Sequence, residues 1–294
     1  MVGNQSWSVG NEIKNLRKAR GMTQKELCEG ICSQAEISKI ENGKNSPTVD
    51  LLQMIAKRLR VSLSHLFQDQ YFSELFMTID RKYSGMARRG EFTAIVEEAS
   101  AEKGKTDRKE INLLLDYYLI ITSRKLGNVD TRSCASLLSR LTTNEDVWYE
   151  SPKAFTKIKM GIANLYAEQE EYNHSKKVYE SLLEMDYDTG DLRRLRLKII
   201  YNFGQIMYSA GNYQKGLELA EEGIEESLVL ADSSQLAHFY YQRACLFEEL
   251  KINPEQMKDD FTASYALFRA FRLIPYAKMM EQEHAEHLYY NFRR

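Results

Sequence analysis

The sequence of 294 residues has no run of about 18 apolar residues, which a membrane-spanning helix would need. It contains only 4 Pro and 15 Gly, too few for a collagen-like or low-complexity disordered chain. Hydrophobic residues make up 43% and charged residues 28%, as in ordinary globular proteins. Leu, Glu, Lys and Ala are frequent, and alternating Val, Thr and Ile are few. The composition therefore predicts an all-α protein of about two domains.

Cysteine is also scarce, which limits disulfide, metal and redox chemistry. The four cysteines are too few for a disulfide scaffold, and none forms a Cys-x-x-Cys pair. They are Cys28, Cys32, Cys134 and Cys245. The spacing of Cys28 and Cys32 leaves a redox pair open, but small buried side chains are favoured because free cysteines are usually buried.

The sequence lacks the motifs of common enzymes and of secretion. It has no Gly-x-Gly-x-x-Gly, Walker loop, Gly-x-Ser-x-Gly or His-Glu-x-x-His. A metal could bind His284 and His287 together with Glu283 and Glu286, but a charged terminal helix face is the favoured interpretation. The first residues lack the basic start and apolar run of a signal peptide, which predicts a cytoplasmic protein. We expect no catalytic activity, metal or cofactor, and no membrane association.

Charge is divided unevenly along the chain. Residues 1–66 contain ten Lys/Arg and six Asp/Glu, a net charge of +4. The remainder has 30 Lys/Arg and 36 Asp/Glu, a net charge of −6. A short basic head is weak evidence for nucleic-acid binding by itself, so the order of residues within it decides.

That order predicts a helix-turn-helix. A first helix precedes Gly21, and Thr23 with Glu26 forms a capping box that opens a short second helix. Ser33 with Glu36 has the same pattern and predicts a second capping box at the start of a third helix ending at Asn42-Gly43. Two capped helices joined by a tight turn constitute a helix-turn-helix. A fourth helix through Val49–Leu59 and a fifth, capped by Ser62 and carrying Leu63, Leu66 and Phe67, complete the predicted head.

The segments Gly21-Met22-Thr23-Gln24-Lys25-Glu26-Leu27 and Gln34-Ala35-Glu36-Ile37-Ser38-Lys39-Ile40-Glu41-Asn42-Gly43 resemble the phage-repressor-like helix-turn-helix family. The resemblance implies that Gln24 binds a backbone phosphate and that Arg17 pairs with Glu41. It also implies a set of residues facing the major groove, namely Ser33, Gln34, Ser38 and Lys39. An amide at Gln34 could bind adenine in a bidentate manner. Glu36 has two open roles, helix capping and acceptance of a hydrogen bond from a cytosine amine.

The body of the chain contains a repeat of about 40 residues. Small residues recur at Ala163, Gly204 and Ala244, which are 41 and 40 positions apart. A repeat of this length built from helix pairs predicts a solenoid. The sequence around Asn202–Tyr208 resembles the tetratricopeptide pattern of small residues where two helices cross. We therefore predict a superhelical array of about five such helix pairs.

In such an array, the first helix of each pair lines the concave surface. The predicted exposed stripe contains Lys157, Met160 and Asn164, then Lys198, Asn202 and Gln205, then His238, Tyr241, Gln242 and Cys245. Asn and Gln carry both a donor and an acceptor, so they can pair with the backbone of an extended peptide. A solvated helix face is the alternative interpretation.

Both parts of the chain together resemble the Rap/Npr/PlcR/PrgX family of peptide-pheromone receptors. The head carries the resemblance at Gly10-Asn11-Glu12-Ile13-Lys14 and Ile31-Cys32. The body carries it at Ile162-Ala163-Asn164-Leu165-Tyr166-Ala167-Glu168 and Tyr240-Tyr241-Gln242-Arg243. Members are dimeric transcription regulators of Gram-positive bacteria whose repeats bind a short, re-imported signalling peptide.

The family resemblance implies a quorum-sensing homodimer on palindromic operator DNA. It implies a DNA-binding domain over residues 1–70 and a peptide-binding, dimer-forming repeat domain over residues 71–294. The resemblance places Asn202, His238 and Tyr276 in the peptide groove, with Arg88 or Arg89 near a peptide carboxylate. Combined with the polar stripe, the predicted peptide-binding residues are Arg88, Arg89, Asn164, Lys198, Asn202, Gln205, His238, Tyr241, Gln242 and Tyr276. Two alternatives remain open, namely repeats that dock a protein partner and a phosphatase-like relative of the Rap proteins.

Overall fold

A computed structural model describes residues 9–63, 66, 70–105, 108–144, 146–187 and 190–289. Every regular element in these residues is helical, with sixteen α-helices and one 3-10 helix, so the all-α prediction is confirmed. Contacts divide the described residues into two compact units, one ending at Lys159 and one beginning at Met160. The predicted domain boundary at residue 70 lies within the first unit and stays a prediction. None of the described helices is both long enough and apolar enough to cross a membrane.

The first unit begins with the helix-turn-helix head. Its helices are α1 (Val9–Ala19), α2 (Gln24–Cys28), α3 (Gln34–Glu41) and α4 (Val49–Arg58). Their apolar faces form a core that includes the fully buried Ile13, Leu27, Ile37 and Ile55. Leu63 and Leu66 are helical, as the predicted fifth helix requires, but Phe67 lies outside the described residues.

The rest of the first unit consists of packed helices that follow the head. They are α5 (Gln70–Arg88), α6 (Phe92–Glu102), α7 (Lys109–Lys125), α8 (Thr131–Leu141), α9 (Asp146–Glu150) and the start of α10 (Pro152–Glu168). The Tyr118 hydroxyl donates to Asp80 Oδ1 at 2.6 Å, and Lys157 Nζ lies 2.9 Å from the same carboxylate oxygen. The Lys157 ammonium also lies over the ring of Tyr117. Lys157 was predicted to lie in an exposed stripe, but its side chain is only 20% exposed because it binds this buried cluster.

In the rest of the second unit, each helix packs against the next helix in the chain. They are α11 (Tyr172–Leu183), α12 (Gly190–Ser209), α13 (Tyr213–Val229), α14 (Leu236–Leu250), α15 (Pro254–Ala270) and α16 (Ile274–Glu283), followed by the 3-10 helix Ala285–His287. The small residues of the 40-residue repeat, Ala163, Gly204 and Ala244, are all buried. At Gly204 an added Cβ would lie only 2.6 Å from Nε2 of Gln242, so the glycine lets α14 approach α12 closely.

Candidate functional sites

Side chains cap the N-termini of α2 and α3, but the two caps differ. Thr23 Oγ1 accepts from the Glu26 amide at 3.2 Å, and the Glu26 carboxylate accepts from the Thr23 amide at 2.7 Å, so the first capping box is complete. Ser33 Oγ likewise accepts from the Glu36 amide at 3.2 Å. The Glu36 carboxylate instead accepts from Asn45 Nδ2, so the predicted second box is wrong in its reciprocal half.

The outer face of α3 is available for contacts with a partner. Ser33, Gln34 and Lys39 are exposed and Ser38 is half-buried. The opposite face, which contains Ile37, is buried in the core of the head. The structure therefore places the predicted groove-facing residues on the accessible side of one short helix, and their contacts with bases stay a prediction.

A buried polar cluster ties α1 to the end of α3. Arg17 Nε donates to Glu41 Oε1 at 2.5 Å, and a second guanidinium nitrogen donates to Oε2 at 2.9 Å. Gln24 Nε2 also donates to Glu41 Oε2, at 2.8 Å. Burial alone would raise the pKa of Glu41, but the hydrogen bonds from Arg17 and Gln24 outweigh it and lower that pKa. Gln24, which was predicted to bind a phosphate, thus already has one amide hydrogen bonded within the head.

In the second unit, predicted peptide-binding residues surround an aromatic cluster. The ring of His238 on α14 lies 5.4 Å from Tyr201, 5.1 Å from Phe268 and 5.0 Å from Tyr276, measured between centroids. Burial lowers the pKa of His238, and its Nδ1 has no hydrogen-bond partner among the described residues. The structure thus brings His238 and Tyr276 together. Tyr201 and Phe268 were missed, because only the three-dimensional arrangement identifies them as ring partners.

The other predicted peptide-binding amides and the Tyr241 hydroxyl bind groups within the second unit. Asn202 Nδ2 donates to the Lys198 carbonyl at 2.6 Å, and Gln205 Nε2 lies 3.4 Å from the Tyr201 hydroxyl. The Tyr241 hydroxyl lies 3.4 Å from His284 Nε2. The exposed Asn164 accepts from the Tyr179 hydroxyl at 3.2 Å. Each of these amides keeps a second N–H or a free acceptor site, so a ligand can bind beside the internal hydrogen bonds or in exchange for them.

Gln242 was predicted to lie in an exposed stripe, but this prediction is wrong, because the residue is only 2% exposed. Its side chain lies against Gly204 in the crossing of α14 and α12, and its Nε2 is 3.5 Å from the Tyr201 carbonyl. The absence of a side chain at Gly204 creates the space that Gln242 fills. Spacing along α14 could not reveal this, since the space belongs to another helix.

Arg88 and Arg89 lie in the first unit, at the end of α5. Arg88 is its exposed last residue, and Arg89 follows it. Arg89 Nε lies 2.6 Å from Glu91 Oε1, so its charge is already paired locally. Contact of either arginine with a peptide carboxylate stays a prediction.

Comparison with known proteins identifies the family. A model of the "RNPP family C-terminal domain" matches residues 80–289, and a "Helix-turn-helix" model matches residues 13–66. The chain belongs to the RNPP family. This confirms the predicted resemblance, and the family matches point to a DNA-binding regulator rather than to an enzyme.

Solved structures support the RNPP assignment over the length of the chain. PlcR of Bacillus thuringiensis, solved with the peptide PapR7 and DNA, is 25% identical with a TM-score of 0.58, over 93% of this chain and 98% of that chain. ComR of S. thermophilus, solved with DNA and its signalling peptide ComS, shares the fold at 14% identity and a TM-score of 0.51, over 95% and 99% of the two chains. A competence pilus inhibition repressor of Acinetobacter baylyi is 33% identical over 60 residues, 20% of this chain and 54% of that protein.

Proposed function

We propose that this RNPP protein is a homodimeric transcription regulator that binds palindromic operator DNA through α3 and is controlled by a short signalling peptide. The peptide binds the second unit beside His238, and it reaches the cytoplasm by re-import. The proposal rests on one observation. A single chain contains both a capped helix with an exposed polar face and repeat helices that carry polar and aromatic side chains. In this proposal residues 1–70 form the DNA-binding domain and residues 71–294 the repeat domain.

The DNA-binding part rests on the exposed face of α3. A two-fold dimer with two such helices requires an inverted repeat whose half-sites are one or more helical turns apart. If each subunit neutralises about three phosphates, log K should fall with log salt at a slope of roughly −5. Gln34→Ala should weaken binding to the selected operator by roughly 1–3 kcal/mol and binding to random DNA little. Equal losses on both DNAs would remove Gln34 from base reading.

The peptide-binding part rests on the contacts of His238 with Tyr276 and with Tyr201, the residue before Asn202 on α12. A ligand can change DNA affinity only by its different affinities for the two conformations, typically about 1–3 kcal/mol of coupling. The test is calorimetric titration of C-terminal heptapeptides from small secreted proteins, with and without operator DNA. Linkage requires that operator change the peptide dissociation constant by about 5–150-fold, the factor by which peptide changes operator affinity.

A matched variant separates peptide binding from DNA binding. Asn202→Ala should weaken peptide binding and leave DNA binding in the absence of peptide unchanged. Identical peptide dissociation constants with and without operator would reject peptide control, even for a peptide that binds tightly. No binding of any peptide would favour repeats that dock a protein partner.

A further inference from the structure

We infer that Glu36 and Asn45 form a positioning pair that fixes the α3–α4 loop, residues 42–48, for contact with the DNA backbone. The inference rests on the proposed DNA-binding function and assigns Glu36 neither of the two roles that the sequence left open. The pair links the first turn of α3 to a residue nine positions later in the chain, through Glu36 Oε1 and Asn45 Nδ2.

The glutamates of the two helix caps bind different partners. Thr23 with Glu26 and Ser33 with Glu36 have the same spacing, and both hydroxyls accept from the backbone amide three residues on. Only Glu26 returns to its cap residue. At α3 a competing donor, the Asn45 amide, holds the carboxylate instead. A hydrogen bond to a charged acceptor is stronger than a neutral one, so Glu36 holds Asn45 more firmly than a glutamine would.

A turn at the end of α3 brings Asn45 to Glu36. The Gly43 amide donates to the Ile40 carbonyl at 2.9 Å, and the Lys44 amide donates to the Lys39 carbonyl at 2.8 Å. These two bonds form a Schellman motif, with Gly43 in the left-handed region at φ +67°. The motif reverses the chain at the end of α3, so that the loop returns alongside the helix.

The α3–α4 loop is exposed, like the residues of α3 that are proposed to read bases. Residues 42–46 are all exposed and include Lys44, while Glu36 is half-buried beside the exposed face of α3. Lysine, asparagine, serine and backbone amides are the groups that contact phosphates and fix the register of a protein on DNA. A loop held to α3 therefore supplies phosphate contacts at a fixed distance from Gln34 and Lys39. In this arrangement Glu36 contacts neither base nor phosphate, and it acts through Asn45.

The experiment measures DNA affinity of the full-length protein on two duplexes of equal length. One is selected by the protein from a random-sequence pool, and the other is unselected; both are titrated at several salt concentrations. Asn45→Ala should weaken binding to both duplexes by about threefold to tenfold, with unchanged base preference, because a phosphate contact is lost. Glu36→Gln should weaken DNA binding less than Asn45→Ala, since the glutamine side-chain oxygen still accepts a hydrogen bond from Asn45.

A reversed pair separates positioning from charge. In the double variant Glu36→Gln with Asn45→Asp, the Gln amide can donate to the Asp carboxylate, so the link is restored with opposite polarity. This variant carries one more negative charge than Glu36→Gln with Asn45→Ala, so electrostatics alone predicts weaker DNA binding. Positioning predicts stronger binding, and melting curves show whether both proteins are folded.

Three outcomes would overturn the inference. Affinity of Asn45→Ala equal to that of the unaltered protein would do so, as would a reversed pair that binds no better than Glu36→Gln with Asn45→Ala. A change in base preference in Glu36→Gln at one operator position would assign Glu36 to base reading instead. Failure of the unaltered protein to bind either duplex at low salt would reject the proposed function itself, and is thereby distinguishable from the other results.

Discussion

In the head, Gln24 alone among the residues predicted to bind DNA also bonds to the buried Arg17–Glu41 pair, whereas in the second unit the internal bonds and the predicted binding residues overlap widely. Arg17 and Glu41 pair within the head, while Gln34 on the outer face of α3 is exposed. In the second unit, His238 is half-buried among aromatic rings and Asn202 bonds to its own helix. The head thus presents mostly exposed side chains for binding, and the second unit presents side chains that also bond or pack within the unit.

This difference fits the roles proposed for the two regions. A base-reading helix must keep its geometry, which favours a surface supported by a rigid cluster beneath it. A regulatory ligand must instead bind two conformations unequally, and exchange of internal hydrogen bonds for ligand hydrogen bonds provides such a difference. The comparison predicts that small changes near Glu41 affect folding of the head, while changes near His238 affect the response to ligand.

The largest expected effect is that of Glu41→Ala. The variant leaves the Arg17 guanidinium, whose side chain is 11% exposed, without its carboxylate. Loss of one partner of a buried pair typically costs about 3–5 kcal/mol, so we expect the head to unfold while the second unit stays folded. Hydrogen exchange followed by mass spectrometry resolves the two regions.

A matched control for this variant is Gln24→Ala, which removes one donor to Glu41 and leaves the ion pair. It should cost only about 1 kcal/mol. If Glu41→Ala exchanges no faster than this control, the head does not depend on the ion pair, and the contrast between the two regions disappears.

Glycine substitutions should give intermediate effects that differ with the neighbour. At Gly10 an added Cβ would lie 1.9 Å from the backbone carbonyl oxygen of Ile40, which cannot move without shifting α3. Gly10→Ala should therefore destabilise the head by about 1–3 kcal/mol or more. At Gly204 the nearest atom is the end of the Gln242 side chain rather than backbone, and alanine favours helix, so Gly204→Ala should cost less than Gly10→Ala.

Thermal unfolding followed by circular dichroism measures both variants. The control for Gly204→Ala is a glycine of the second unit whose neighbour is rigid. Gly223 meets this need, since an added Cβ would lie 2.2 Å from the ring of Phe239. Gly223→Ala should lower the melting temperature as Gly10→Ala does. If Gly204→Ala lowers the melting temperature as much as Gly223→Ala does, Gln242 cannot move aside. The predicted difference between the two glycines would then be wrong.

The sequence predicted more of the head than of the repeat site because the head is encoded locally. The Thr23 box needs only residues three apart, and the Arg17–Glu41 contact came with a family motif that spans both residues. The site in the second unit combines helices whose residues are about 40 positions apart, so a pattern on one helix cannot show which space on another it fills. The prediction that Gln242 is exposed was wrong for this reason. The Glu36 prediction failed because its competitor, Asn45, becomes a neighbour only after the chain turns at Gly43.

The smallest effect that distinguishes the regions is the order in which they respond to acid. The lowered pKa of Glu41 means that its stabilisation is complete above about pH 4.5, the usual value for glutamate, and is lost as pH falls through the lowered value. Burial lowers the pKa of His238 from its usual 6.5. The unfolded chain therefore takes up a proton near pH 6.5 that the folded second unit resists, so this unit loses stability as pH falls from 6.5 towards the lowered pKa.

Acidification should thus weaken the second unit first and the head only below about pH 4.5. Regional hydrogen exchange between pH 7.5 and pH 4, corrected for the intrinsic effect of pH on exchange, measures the two onsets. His238→Phe keeps an aromatic ring beside Tyr276 and cannot titrate, so it should reduce the loss that begins near pH 6.5 and leave the head unchanged. Because burial also lowers the pKa of His284, part of that loss should remain. A head that weakens before the second unit in the unaltered protein would reverse the comparison, and would mean that the pairing of Glu41 with Arg17 does not set the pH at which the head loses stability.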